Sequence, residues 1–358
     1  MWVFGGVEGR KFDDNSRYLF EYVCKKNENI HAVWLTQNEE TTQSIKRLGY
    51  EAYTFYSCKG IQYALRAGVA VYSHALIDFG LFPLIGGAKI VCLWHGVGFK
   101  EIYNAKYHGF SLWAKKTIDR IFSWTFRHIT MVTSDYTYHQ FQRLFNLSPE
   151  HIFITGQPRN DVLFRGIQKE MVLSNIDKTK KWILYMPTYR GKGVGLDAME
   201  RIVVALYENE ALNQELDGIN AIFIVKLHPL TPPICLPKRN NFIVLGYNDV
   251  ENNQELLTVA DMLITDYSSC FVDYALLKRP ILFYTPDETQ FLQYSEQMAN
   301  DFFKVSALCK ASTISELVDA IKNPNQDVPQ KTNHIFEDES IKGTCYSENV
   351  FNVILENI

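Results

Sequence analysis

What the chain lacks narrows its chemistry first. Its seven cysteines are an odd number and are scattered with no Cys-x-x-Cys pair, which argues against a disulfide framework or a thiolate zinc site and for a reducing compartment. Positive charge is not in excess. A net charge of -4 makes nucleic acid a poor candidate for the main partner. No Walker-type Gly-Lys-Ser/Thr, no Gly-x-Ser-x-Gly elbow and no His/Cys cluster at metal spacing occurs, which removes P-loop nucleotide chemistry, the common serine hydrolase and a recognisable metal site. Gly5-Gly-Val-Glu-Gly9 lacks the full dinucleotide-loop spacing and reads as a turn lining a cleft. Nor is there a long unbroken apolar run. The most apolar region, Val69 to Trp94, is interrupted by Ser73, His74, Asp78, Pro83, glycines and Lys89, so it predicts two buried strands and a loop rather than a membrane span. Met1-Trp-Val-Phe4 passes straight into glycines and charges, so no signal peptide is expected and any membrane contact is expected to be peripheral.

What is present is an ordinary globular composition, 47% hydrophobic and 21% charged, over 358 residues, long enough for two domains. Short β-branched or aromatic runs alternate with helical patterns. Trp2–Phe4, Ala32–Thr36, Val69–Tyr72, Ile90–Trp94, Ile129–Thr133 and Ile152–Ile154 read as strands of a first unit. Trp182–Met186, Ala221–Val225, Phe242–Leu245, Met262–Thr265 and Ile281–Tyr284 repeat the pattern. The alternation predicts an α/β fold of two Rossmann-type, doubly wound domains facing a central cleft, with the ligand at the carboxyl ends of the strands. The expected divisions are residues 1–157, 158–335 and a closing helical segment, 336–358. The seam is placed near Gly156-Gln-Pro-Arg-Asn160, where glycine and proline interrupt the pattern.

Polar clusters follow the predicted strands. At Leu263-Ile-Thr-Asp-Tyr-Ser-Ser269 an apolar run ends in Asp266, and Ser268 and Ser269 fall where a helix N-terminus takes its caps. Such a place is either an ordinary capped helix or an anion site. His95, followed by Gly96, Gly98 and Lys100, offers a general base beside an anion-binding cation, or a satisfied structural histidine. Arg190, after Pro187 and Thr188, suits a phosphate bidentately or braces a loop. Lys226 and His228 stand at another strand end. Together these groups suit a diphosphate and a hydroxyl nucleophile. The basic amphipathic stretch Trp113–Arg127 fits a helix packed on the sheet better than one lying on anionic lipid.

These clusters, in this order, resemble the CDP-glycerol glycerophosphotransferase family, the polymerases and primases of teichoic acids and related capsules. The likeness runs over Trp2–Gly5, Asp14-Asn-Ser-Arg-Tyr-Leu-Phe20, Trp94-His-Gly96 with Lys100, Gly156-x-Pro-Arg-Asn-Asp161, Pro187-Thr-Tyr-Arg190, Lys226-x-His-Pro229, Thr265-Asp-Tyr-Ser-Ser269 with Asp273, and Arg279–Tyr284. It departs at Val97-Gly98, where family members often carry Thr-Pro, and in Tyr294–Ala299, which lacks an expected Arg-Gly. The resemblance implies a GT-B-like architecture with an acceptor domain first and a CDP-alditol domain second. It also implies a last helix crossing back to the first domain and a place at the inner face of the cytoplasmic membrane. The donor would be CDP-glycerol or a similar CDP-alditol, the acceptor lipid-linked or a polysaccharide, with no metal and no other cofactor.

On that resemblance His95, His228 and Asp266 are the expected catalytic residues. His95 takes the acceptor hydroxyl's proton, His228 stabilises the diphosphate, and Asp266 orients His228 or a serine. Lys100, Pro187, Thr188, Arg190, Lys226, Ser268 and Ser269 are expected to bind the donor, with Asp273 on the ribose. A GT-B glycosyltransferase using a nucleotide sugar is the alternative reading, and an idle envelope scaffold the third.

Overall fold

Long apolar runs with few polar interruptions are what a parallel strand covered on both faces requires, and two parallel sheets carry this chain. The computed structural model describes residues 1–26, 29–100, 109, 111, 113, 128–191, 194, 195, 197–246, 249, 250, 252–294 and 298–358. Two compact units divide them. Unit 1 takes the described residues of Met1–Gly96, Ile102–Asp161 and Glu337–Ile358; unit 2 takes those of Val97–Glu101 and Val162–Phe336.

In unit 1 the strands are β1 (Trp2–Phe4), β2 (Ala32–Thr36), β3 (Ala52–Thr54), β4 (Val69–Tyr72), β5 (Lys89–Cys92), β6 (Ile129–Val132) and β7 (Ile152–Ile154). They lie in the order β3-β2-β1-β4-β5-β6-β7, every pair parallel. The order reverses between β1 and β4, which opens a crevice at their carboxyl ends. Helices α1 (Asp14–Lys26), α2 (Glu39–Arg47) and α3 (Cys58–Leu65) link the early strands. Asn38 and Ser57 cap α2 and α3 by accepting backbone N–H bonds from Thr41 and Gly60.

Unit 2 has β8 (Lys181–Met186), β9 (Ala221–Lys226), β10 (Phe242–Leu245), β11 (Met262–Thr265), β12 (Ile281–Tyr284) and β13 (Lys310–Ala311), ordered β10-β9-β8-β11-β12-β13 and again parallel. Its switch point lies between β8 and β11. Val97 and Phe99 join the core of this unit, where Phe99 stacks on Phe271 at 5.4 Å and meets Phe302 and Phe336.

The closing helix, Tyr346–Glu356, packs on α1 in unit 1, sharing a core with Trp2, Leu19 and Val23 through Val350, Phe351 and Ile354. Its first turn is held by a residue far away in sequence. Asp161 accepts from the backbone N–H groups of Tyr346 (2.7 Å) and Ser347 (2.9 Å) and from the Ser347 hydroxyl. Gly156 (φ +78) is required beneath it, since a Cβ there would come within 2.2 Å of the Tyr346 ring. Asp161→Ala is therefore expected to cost about 1–2 kcal/mol, as loss of a helix cap does, and a urea titration followed by fluorescence measures it.

The short edge strands β3 and β13 were not expected from sequence, nor were the helices Glu210–Gly218, Glu288–Tyr294, Asn300–Ser306 and Asp327–Phe336. After β11 the expected capped helix is only Cys270–Ala275. Ser269 occupies its N-cap with helical angles (φ -76, ψ -2) and makes no side-chain cap bond, because capping needs an extended backbone there. Ser268 Oγ reaches the Cys270 N–H only at 3.4 Å. Trp113–Arg127, apart from Trp113, and residues 295–297 of the Tyr294–Ala299 loop lie outside the described residues. No described helix is long and apolar enough to cross a membrane.

Candidate functional site

In each unit polar side chains gather where the strands end at the switch point. Unit 1 builds its cluster from β1, β4 and β5. Past β4 come Ser73 and His74, and past β5 come Trp94 and His95; the loop after β1 leads into α1 through Asp14. Asp78 is fully buried in the turn after β4 and accepts from the backbone N–H groups of Glu8 (2.7 Å), Ser73 (3.0 Å) and His74 (2.9 Å). Burial pushes its carboxyl up, against the pull of those bonds and of His74. Gly5 is needed at the end of β1, since a Cβ would stand 2.4 Å from the Asp78 carbonyl oxygen.

His95 is exposed as a residue, but its ring lies against two others. The His74 ring stacks on it at 4.5 Å with a 5° interplanar angle, and the Trp94 ring lies at 4.4 Å. Its Nδ1 stands 3.3 Å from the Ser73 carbonyl oxygen. A carbonyl only accepts, so Nδ1 carries the proton and Nε2 is the acceptor. The covering of the ring, then the neighbouring His74, lower its pKa from the ordinary 6.5 to about 4, with Asp14 acting the other way.

The main chain under this ring is tied down. Trp94 has φ +56, an uncommon left-handed position for an aromatic residue. Asn15 Nδ2 donates to the Trp94 carbonyl (2.8 Å) and Arg159 Nη1 donates to the His95 carbonyl (3.0 Å). Arg159 also pairs with Asp14 Oδ1 at 3.0 Å, and its backbone N–H donates to Asn15 Oδ1 at 3.1 Å. Neither His74 nor Asp14 was expected as a site residue. The available signal was His74 and Asp78 breaking an apolar run just past a strand.

Unit 2 places its cluster past β8, β9 and β11. Arg190 is 1% exposed, and its guanidinium makes four hydrogen bonds within the protein. Nε and Nη2 fork onto Asp287 (2.7 and 3.0 Å), while Nη1 donates to Asp266 (2.7 Å) and to the Thr188 carbonyl (2.8 Å). Burial alone would lower its pKa, but Asp266 and the Asp287 bonds outweigh that and raise it. The expectation that Arg190 binds phosphate is therefore corrected: it braces the loop. Asp266 is corrected likewise. Its oxygens accept from Arg190 and from the backbone N–H groups of Thr188 (2.8 Å) and Tyr267 (2.6 Å), and orient neither His228 nor a serine. Asp273, expected on a ribose, is 4% exposed and accepts from Gln254 Nε2 at 3.0 Å, inside the core. Pro187 is buried in the turn after β8 and offers no side-chain donor.

Of the remaining candidates of this unit, Lys226 is buried, while Lys100, Thr188, His228, Ser268 and Ser269 are half-buried. His228 Nδ1 accepts from the Leu230 N–H (3.2 Å), and its ring stacks on Tyr189 at 5.7 Å. Burial, then the charges of Lys100 and Lys226, lower its pKa. Lys100, five residues past His95, thus belongs with His228 in unit 2. Lys226 Nζ donates to the Gly246 carbonyl at 2.8 Å. Among the described residues Thr188 Oγ1 has no hydrogen-bond partner, and Ser268 and Ser269 are half-buried beyond β11. Lys100 and Lys226 lie near His228, groups of the type that bind anions. Among the described residues, no group of three His, Cys, Asp or Glu is arranged to hold a metal ion.

Two Rossmann-type units with strand-end clusters define a GT-B-like α/β protein. The chain belongs to the CDP-glycerol:poly(glycerophosphate) glycerophosphotransferase family, whose model matches residues 1–353. It is 26% identical over 364 residues to the teichoic acid poly(glycerol phosphate) polymerase of Bacillus spizizenii strain W23, covering 97% of this chain and 88% of that one. The Staphylococcus epidermidis polymerase of the same description is 28% identical over 318 residues, covering 80% of this chain; those residues span 40% of that relative's length. A solved structure of the wall teichoic acid polymerase TagF superposes with a TM-score of 0.75 at 21% identity, covering all of this chain and 89% of that one.

Proposed function

We propose that this chain transfers an alditol phosphate from a CDP-alditol to a hydroxyl of a cell-envelope polymer or lipid-linked acceptor, releasing CMP. The observation that carries the reading is the His95 ring, with Nδ1 tied to a carbonyl and Nε2 left as an acceptor, in a chain matched by the family over residues 1–353. The acceptor oxygen attacks the β-phosphorus of the donor. A new P–O bond forms, the bond from that phosphorus to the CMP oxygen breaks, and the hydroxyl proton passes to His95 Nε2. Charge on the transferring group and on departing CMP falls to His228, Lys100 and Lys226, with Thr188, Ser268 and Ser269 adding hydrogen bonds. Arg190 and Asp266 act behind them by fixing the Thr188 backbone. The reading takes no metal cofactor. It sets the reaction at the inner face of the cytoplasmic membrane through peripheral contact, because a lipid-linked acceptor would lie there.

The test offers purified protein CDP-glycerol, CDP-ribitol and UDP-sugars in parallel, each with a lipid-linked or oligosaccharide acceptor, and follows CMP or UDP release. Acceptor-dependent CMP release from one CDP-alditol is expected and names the donor. Turnover with a UDP-sugar alone would replace this reading with a nucleotide-sugar glycosyltransferase.

A further inference from the structure

We propose that His74 is a positioning residue for His95: its ring, anchored by Asp14, stacks face to face on the His95 imidazole and holds it in one plane with Nε2 as the open acceptor. This rests on the reading of His95 as the base.

Hydrogen-bond partners set both tautomers. The Val7 backbone N–H donates to His74 Nδ1 at 3.3 Å, so in neutral His74 the proton sits on Nε2. That nitrogen stands 3.7 Å from Asp14 Oδ2. In His95 the order is reversed, Nδ1 facing the Ser73 carbonyl at 3.3 Å. That bond holds one edge of the ring, and the Trp94 ring lies at 4.4 Å, tilted by 30°. The parallel His74 ring, 4.5 Å away, covers one face and adds to this hold.

The anchor is shared between the two histidines. Asp14 holds the His74 ring through Oδ2, while its Oδ1 pairs with Arg159, which in turn grips the His95 carbonyl. Asp14 itself adopts φ +63, a left-handed position uncommon outside glycine. Its carboxylate thus fixes the His95 backbone through Arg159 and the His95 ring through His74. A base that must meet a hydroxyl within hydrogen-bond reach gains rate from such fixing.

The charges facing the His95 ring are His74 from the turn after β4, Asp14 from α1 and Arg159 from the segment after β7; Asp78 binds the backbone beneath His74. His74 and Arg159 disfavour a proton on His95, and Asp14 favours one. Removing His74 therefore raises the midpoint of His95.

The experiment uses the full chain labelled with 15N-histidine, with His95 signals assigned by their loss in His95→Asn. Wild type is expected to show the Nδ1–H tautomer. In His74→Asn the ring loses its stacking partner: the two tautomers mix, the midpoint rises by about one pH unit, and kcat falls by about tenfold with an unchanged KM for the CDP-alditol. His74→Phe keeps a planar ring against the His95 face, so it should retain the tautomer. It also serves if His74→Asn fails to fold. An unaltered His95 tautomer and midpoint in His74→Asn, or mixed tautomers in His74→Phe, would overturn the proposal. The resonance measurement needs no substrate. A wild type that releases no CMP from any donor sinks the transferase reading, and the positioning role is still decided by the spectra.

Discussion

His95→Ala should lower acceptor-dependent CMP release by about 10²–10⁴-fold, the range expected for loss of a general base. Unfolding should scarcely change, because His95 is exposed and its side chain makes one hydrogen bond, to the Ser73 carbonyl. The pH profile sharpens the test. A base works only when unprotonated, and His95 is shifted from 6.5 down to about 4 by the covering of its ring and by His74. Activity should therefore persist well below pH 6.5, with the acid limb of kcat/KM nearer 4. An acid limb at the ordinary histidine value, or near-normal turnover in His95→Ala, would remove His95 from the role of base. His228→Ala is a different loss. Its ring lies beside Lys100 and Lys226, so the variant should lose about 10²–10³-fold in turnover, as when one donor to a developing charge is deleted. No acid limb should move with it.

The strand ends carrying these histidines were legible because buried parallel strands leave a simple trace, an apolar run stopped by polar residues. β5 stops at Trp94-His95, β9 at Lys226 and His228, and β11 at Asp266. Side-chain partnerships were not legible, since they join distant positions. Arg190 and Asp287 are 97 residues apart, and Arg159 and Asp14 are 145 apart. No local pattern announces such pairs. Arg190 accordingly suited phosphate as well as bracing, and only its buried carboxylates decide between them. Lys100 misled in the opposite way, for it is close to His95 in sequence and yet packs with unit 2. Asp14 stood only within the family likeness Asp14–Phe20, with no role of its own, and His74 was a break in an apolar stretch. β3 and β13 escaped notice because three- and two-residue edge strands carry too little alternation to read.

Arg190→Ala should act on stability before it acts on chemistry. Asp266 is 0% exposed and Asp287 is 13% exposed, and both carboxylates face the guanidinium. Deleting the arginine leaves two charges in the interior without their counter-ion, a change that costs about 3–5 kcal/mol when one partner of a buried pair is removed. The aromatic floor loses its cover as well. Tyr267 and Phe291 stack at 3.9 Å, and the guanidinium carbon lies 4.9 Å from the Phe291 ring. For a unit of this size the melting temperature should fall by about 6–20 °C. Arg190→Lys keeps one charge but cannot fork onto Asp287 while reaching Asp266 and the Thr188 carbonyl, so it should recover only part of the loss. Activity should fall with it, since Asp266 also holds the Thr188 backbone N–H. A direct phosphate ligand would behave otherwise: the alanine variant would keep wild-type stability and lose donor binding alone. Scanning calorimetry of both variants beside CDP-alditol KM measurements separates the two, and unchanged melting in Arg190→Ala would return this arginine to the substrate.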